Sequence, residues 1–262
     1  MTELNKRVGV SLFFIPMLLA ALFYGGVPLI AMFFLVTLLG GMEFITMLRN
    51  PGIRISWIWV IAYCGLYLAM IITRSMDIVL LWAVFFLAML DGLVSWAKDK
   101  SLKRVFAIIF GAVYLGMIPA MIARIGLDYS GEKILFALII MIWIVDSVAY
   151  FVGMRFGKHR NMTEVSPRKS LEGFLAGVFA PMVIVIILYY SGFALISLTK
   201  MFLIAFAAGI IGQLGDLAES MLKRFCDVKD SSKLIPGHGG ILDRTDSILL
   251  AGSFLYCALS VM

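Results

Sequence analysis

Stretches of about twenty apolar residues recur from one end of this chain to the other. A helix needs roughly 20 such residues to cross the hydrocarbon core of a bilayer. Nine segments answer that description, with approximate limits 8–24, 27–48, 55–73, 77–97, 104–123, 133–154, 171–191, 199–222 and 242–261. Composition points the same way. Of 262 residues, 62% are hydrophobic and 15% charged, where soluble domains hold about 45–50% apolar and about 25% charged residues. The expected fold is therefore all-α: a polytopic integral membrane bundle of about nine transmembrane helices.

The basic, then apolar, N-terminal segment could serve as a signal peptide, but no small-x-small cleavage site follows it, and it is read as a retained first span. Cys64, Cys226 and Cys257 are odd in number and show no metal-ligand spacing, so neither a disulfide framework nor a zinc site is expected.

The net charge of +6 would suggest nucleic acid in a soluble chain. In an apolar bundle it first reports orientation, then anionic lipid or substrate, and no nucleic acid partner is expected. With the N-terminus cytoplasmic, all but four of the 22 lysines and arginines fall on the cytoplasmic side. The exceptions are Arg74, Arg124, Lys133 and Lys200. The positive-inside rule then puts the N-terminus inside and the C-terminus outside. The two long polar loops, 155–170 and 223–241, are both cytoplasmic in this arrangement.

Ionisable residues inside spans are costly and point to function. Glu43, Asp91, Asp146, Glu172, Asp216, Glu219, Asp243 and Asp246 all fall in the cytoplasmic half of their spans or at the cytoplasmic ends. A transporter would more often place polar groups near the midplane; this distribution suggests a polar bowl open to the cytoplasm. Asp216, Glu219 and Ser220 stand at i, i+3 and i+4 and share one helix face. Asp243 and Asp246 are also three apart, on the next span, so the two pairs can face each other across a hairpin. Converging carboxylates repel unless cations intervene, and hard oxygen ligands with room for water and phosphate suit Mg²⁺. Structural ion pairs with Lys223, Arg224 and Arg244 are the other reading. For Glu43 and Asp91 that plainer reading is the favoured one, because no local motif accompanies them.

The loops carry bases that a triphosphate or a lipid headgroup would need. Pro236, Gly237, Gly239 and Gly240 allow close backbone approach to an anion at the start of the last span. His238 among them reads as a hydrogen-bonding loop residue rather than a ligand of a hard cation. In "SPRKSLEG", Ser170 is placed to N-cap a helix with Glu172 in its first turn. Gly173 and Gly177 form a face for close helix packing. Arg168 and Lys169 read equally as phosphate ligands or as orientation signals.

The stretch "SMLKRFCDVKDSSKLIPGHGGILDRTDS", Ser220 to Ser247, resembles the signature of the phosphatidate cytidylyltransferase (CDP-diacylglycerol synthase) family. "DSVAYFVGMRFGKHR" and "SPRKSLEG" resemble the segments upstream of it, with Ser170 where threonine is common. The resemblance implies an enzyme of phospholipid biosynthesis, converting CTP and phosphatidate to CDP-diacylglycerol and diphosphate with Mg²⁺; a second cation beside it stays open. It implies Asp216, Asp243 and Asp246, with Glu219, as metal ligands. Lys223, Arg224 and Arg244 would join Asp216, Asp243 and Asp246 in catalysis. Substrate contacts would come from Ser166, Arg168, Lys169, Ser220, Lys229, Asp230, Gly237, His238, Gly239 and Gly240. On this reading residues 1–132 supply about five N-terminal helices, and 133–262 supply about four catalytic ones. The protein would sit in a bacterial inner membrane with its site facing the cytoplasm, and its glycine faces leave room for a homodimer. Two other classes stay open: a CTP-using polyprenol kinase, which would release CDP, and an ion transporter.

Overall fold

The computed structural model describes residues 16–262 apart from Asp99, Ala194, Leu195, Pro236 and His238. Residues 16–24 are helical, and eight further helices follow. They are α1 (Gly26–Leu48), α2 (Ile58–Ile72), α3 (Asp77–Val94), α4 (Ser101–Asp128), α5 (Ile134–Phe156), α6 (Leu171–Tyr190), α7 (Leu198–Phe225) and α8 (Leu242–Ser260). Among the described residues there is no strand, only two isolated bridges, Arg160 with Ser170 and Ile235 with Gly239. The all-helical expectation holds.

Six of these helices are long and apolar enough to cross a membrane: α1, α3, α4, α5, α6 and α7. The helix α2 is apolar but has 15 residues, and α8 opens with Asp243, Arg244 and Asp246. Long apolar side chains lie exposed along the outer helices, as on α3, where Ile78 is 83% and Val94 89% exposed. A soluble monomer rarely shows so much contiguous apolar surface, and lipid is the medium that suits it. The chain is an integral membrane protein.

Two helices change pitch midway. In α4 residues Ala112–Met117, and in α7 residues Ala207–Gly212, form π-turns. A π-turn inserts an extra residue per turn and re-aims the rest of the helix, which is why such turns gather at functional sites. The turn in α7 leads directly into Gln213–Phe225, the amphipathic segment with Asp216, Glu219 and Lys223. The turn in α4 carries Tyr114.

Small residues set the helix contacts. A Cβ on Gly173 of α6 would stand 2.6 Å from the Ala149 carbonyl oxygen and 3.1 Å from the Gly153 Cα on α5. A Cβ on Gly177 would strike the Gln213 side chain of α7 at 2.8 Å. Ser170 caps α6 as expected, its Oγ accepting from the Gly173 N–H at 3.2 Å.

One end of the bundle is closed by ion pairs. Arg74 pairs with Asp128 at 2.6 Å, Arg124 with Asp77 at 2.6 Å, and Lys200 with Glu132 at 2.6 Å. Lys133 donates to the Phe23 carbonyl at 2.6 Å. These are the four bases set apart by the charge pattern. Arg124, expected in a loop, instead lies inside α4 with 1% of its surface exposed. It binds Asp77, Tyr256 and the Met70 carbonyl.

Candidate functional site

The acids of α7 and α8 meet at the opposite end, and glycine is the reason. A Cβ on Gly215 would lie 2.7 Å from the Asp246 carbonyl oxygen and 3.2 Å from the Ser247 Cα. The two backbones therefore touch at this level. Asp216, the next residue, is thereby set beside Asp246, with Glu219 close by. Asp146 of α5 feels the charge of Asp216 and Lys169. The expected antiparallel facing of the two acid pairs is what the chain adopts.

Basic side chains sit among these acids. Lys169, from the 155–170 loop, is ion-paired with Asp216. Lys223 lies between Glu219, one helical turn back, and Asp243 of α8, whose Oδ1 it reaches at 2.7 Å. Glu219 is fully buried, and among the described residues the Lys223 ammonium is the one partner of its oxygens. An unpartnered buried carboxylate is costly, so the Lys223 ammonium is what makes that burial tolerable. Asp243 differs from its neighbours. Its Oδ2 accepts from the Ser231 N–H and the Gly240 N–H, each at 2.8 Å, and shares the single Ser231 hydroxyl proton, also 2.8 Å away, with Glu43. Expected among the metal ligands, it has both oxygens engaged by the protein and organises the loop before α8.

The two loops are joined by Arg224. Its Nε donates to the Val165 carbonyl at 3.4 Å and its Nη1 to the Val228 carbonyl at 3.4 Å. Ser166 is half-buried, and its carbonyl accepts from the Lys169 N–H at 3.2 Å. Arg168, Lys229, Asp230 and Arg244 are exposed around the rim, and Ser220 is half-buried on α7. Gly237 and Gly239 take φ of 75° and 81°, left-handed conformations that favour glycine. His238 lies outside the described residues.

Among the described residues no three His, Cys, Asp or Glu side chains form a ready-made ion cage. A hard divalent cation of the Mg²⁺ kind needs none. It is held through one or two carboxylates, keeps several waters, and takes the rest of its shell from substrate phosphates. The Asp216 and Asp246 carboxyls, mutually repelling and close, fit that mode.

Two residues of this site left no mark in the local sequence. Glu43, which the lack of a motif set aside as an ion-pair residue, is buried on α1 and accepts four hydrogen bonds from the loop and the start of α8. Tyr114, on the π-turn of α4, buries a hydroxyl that has no hydrogen-bond partner among the described residues and lies near Asp246 and Glu219. Only the span position of Glu43 hinted at either. Cys226 is a free, buried cysteine, and burial, with Asp227 beside it, pushes its thiol up to about 11.

Fold and site together define a helical integral membrane protein with an acid-and-base centre at one end of its bundle. The family model for the cytidylyltransferase family matches residues 5–262, and the chain belongs to that family. A phosphatidate cytidylyltransferase of Thermotoga maritima is 31% identical over 239 residues, 87% of this chain and 86% of that protein. The Bacillus subtilis phosphatidate cytidylyltransferase is 43% identical over 155 residues, 59% of this chain and 58% of the relative. That of Haemophilus influenzae is 39% identical over 61% of this chain and 57% of the relative. In the last two comparisons the match thus spans little more than half the relative's length.

Proposed function

We propose that the chain is a phosphatidate cytidylyltransferase, joining CTP and phosphatidate into CDP-diacylglycerol and releasing diphosphate. The observation that carries this reading is the meeting of Asp216 and Asp246 beside two buried or half-buried lysines. Family membership and the names of the relatives support it.

In this reading an oxygen of the lipid phosphate attacks the α-phosphorus of CTP. A new P–O bond forms, the bond from the α-phosphorus to the bridging oxygen breaks, and diphosphate leaves with that electron pair. The nucleophile is already ionised near neutral pH, so no strong general base is needed. Positioning and charge neutralisation supply the rate. Mg²⁺, held by Asp216 and Asp246 with Glu219 and Asp243 completing the acidic wall, would neutralise the developing charge on the phosphates. Lys223, Arg224, Lys229 and Arg244 hold triphosphate or lipid phosphate. Ser166, Arg168 and Lys169 support it from the other loop. The backbone at Gly237, Gly239 and Gly240 approaches the triphosphate at the N-terminus of α8. The acyl chains stay in the bilayer.

The same reading takes the three remaining helical segments as spans as well, giving nine, with the N-terminus and the site on the cytoplasmic side of a bacterial inner membrane. A cysteine placed at Lys229 should react with a membrane-impermeant thiol reagent only after the cells are opened. Labelling of intact cells would reverse the orientation.

The deciding assay supplies purified protein in mixed micelles with CTP, phosphatidate and Mg²⁺. Diphosphate and CDP-diacylglycerol should appear together, and only when both substrates are present. Release of CDP with a phosphorylated alcohol, or no phosphatidate-dependent diphosphate, would overturn the proposal.

A further inference from the structure

Glu43 is contributed by α1, 188 residues before Ser231 in the chain, yet its carboxylate lies inside the loop that leads into α8. Its Oε2 accepts from the Leu242 N–H at 3.0 Å and, at 2.9 Å, from the Ser231 hydroxyl, whose one proton it shares with Asp243. Its Oε1 accepts from the Ser232 Oγ at 2.7 Å and from the Ile241 N–H at 2.9 Å. Two of these donors are the backbone amides of Ile241, just before α8, and Leu242, its first residue, which have no partner within the helix, and the other two belong to the far side of the glycine turn. One carboxylate thus closes the loop 231–242 on itself.

The surroundings of this carboxylate are close-packed. Gly240 lies against Glu43 and Ser231 so tightly that a Cβ there would overlap both. A Cβ on Gly40, one helical turn earlier, would stand 3.0 Å from Leu242 Cδ2. Ser231 also donates its N–H to Asp243, so Glu43 and Asp243 hold the loop from its two sides. The described glycines of the turn, Gly237, Gly239 and Gly240, lie between the points they pin.

We infer that Glu43 is a positioning residue for the nucleotide site: it fixes the glycine turn and the first turn of α8 in the form that receives the triphosphate. This rests on the proposed function for its kinetic consequence, but not for its structural one. Glutamine is the informative substitution. It keeps the shape but has one oxygen, and its NH₂ group would face either the Ile241 or the Leu242 N–H, neither of which can accept.

The test compares wild type and Glu43→Gln, full length in detergent, by hydrogen–deuterium exchange and by kinetics. Each bond to a charged group lost should speed local exchange on the order of tenfold. Exchange over 231–242 should therefore rise at least tenfold while α5 and α6 are unchanged. KM for CTP should rise by about tenfold with KM for phosphatidate unchanged. Exchange in 231–242 as slow as in wild type overturns the inference, as does faster exchange spread evenly over all helices, or a KM change shared by both substrates. If Glu43→Gln does not fold, Ser232→Ala, which removes one partner, decides by the same readouts with a smaller change. If wild type forms no diphosphate, the proposed function fails, and the exchange comparison alone still decides whether Glu43 clamps the loop.

Discussion

Gly215 and Asp246 touch through their backbones, with space for no Cβ between them. Everything proposed for the acid centre depends on that contact, because it sets Asp216 beside Asp246. Gly215→Ala would press a methyl group against a carbonyl oxygen, which cannot swing away as a side chain could. Overpacking of this kind costs about 1–3 kcal/mol. We expect a lower thermal midpoint and at least a tenfold loss of turnover in the diphosphate assay. Wild-type turnover in this variant would mean that the close approach does not matter.

Removing the charge at the meeting point should separate chemistry from folding. Asp246→Asn keeps shape and abolishes turnover, while the protein still inserts and elutes as wild type. Asp91→Asn should do far less harm, since Asp91 pairs with Arg104 at 2.7 Å away from the acid centre. Near-full activity of Asp246→Asn would remove it from the cation ligands, and chelation of Mg²⁺ should silence the wild type alike.

Lys223 has two roles that a double variant can split. Its side chain is 13% exposed and faces Glu219 and Asp243, at 0% and 7%. Lys223→Met leaves two buried acids without their cation, and breaking a buried pair costs about 3–5 kcal/mol. Adding Glu219→Gln should restore much of the thermal stability. Activity should stay low, because the phosphate-binding charge is still missing. Recovery of both together would make Lys223 a purely structural counter-ion.

The far end of the bundle offers the complementary case. Arg124→Met leaves Asp77 and the Tyr256 hydroxyl without their shared partner. Asp77 is 31% exposed, so water solvates its freed charge, and the loss of thermal stability should be smaller than for Lys223→Met. KM for both substrates, measured on the folded fraction, should not move. A selective change in KM for CTP would show coupling between the two ends that the contacts do not suggest.

Much of this was legible in the order of residues. The apolar runs specify helices, since each run depends only on neighbours along the chain. The three-residue spacings of Asp216 with Glu219 and of Asp243 with Asp246 follow from helical pitch, and so does the Ser170 cap. Their meeting could be anticipated because one loop joins the two helices. What each acid touches was not legible. Whether Lys223 or a cation faces Asp243, whether Arg124 lies in a loop or in the core, and why Glu43 is acidic depend on helices that approach from elsewhere in the chain. A carboxylate on α1 carries no local sign that its four donors lie about two hundred residues away. Sequence by itself determined which segments are helices and which faces carry charge, because periodicity is local. The tertiary structure alone decided the partners, because burial and hydrogen bonding arise only when distant backbones close upon one another.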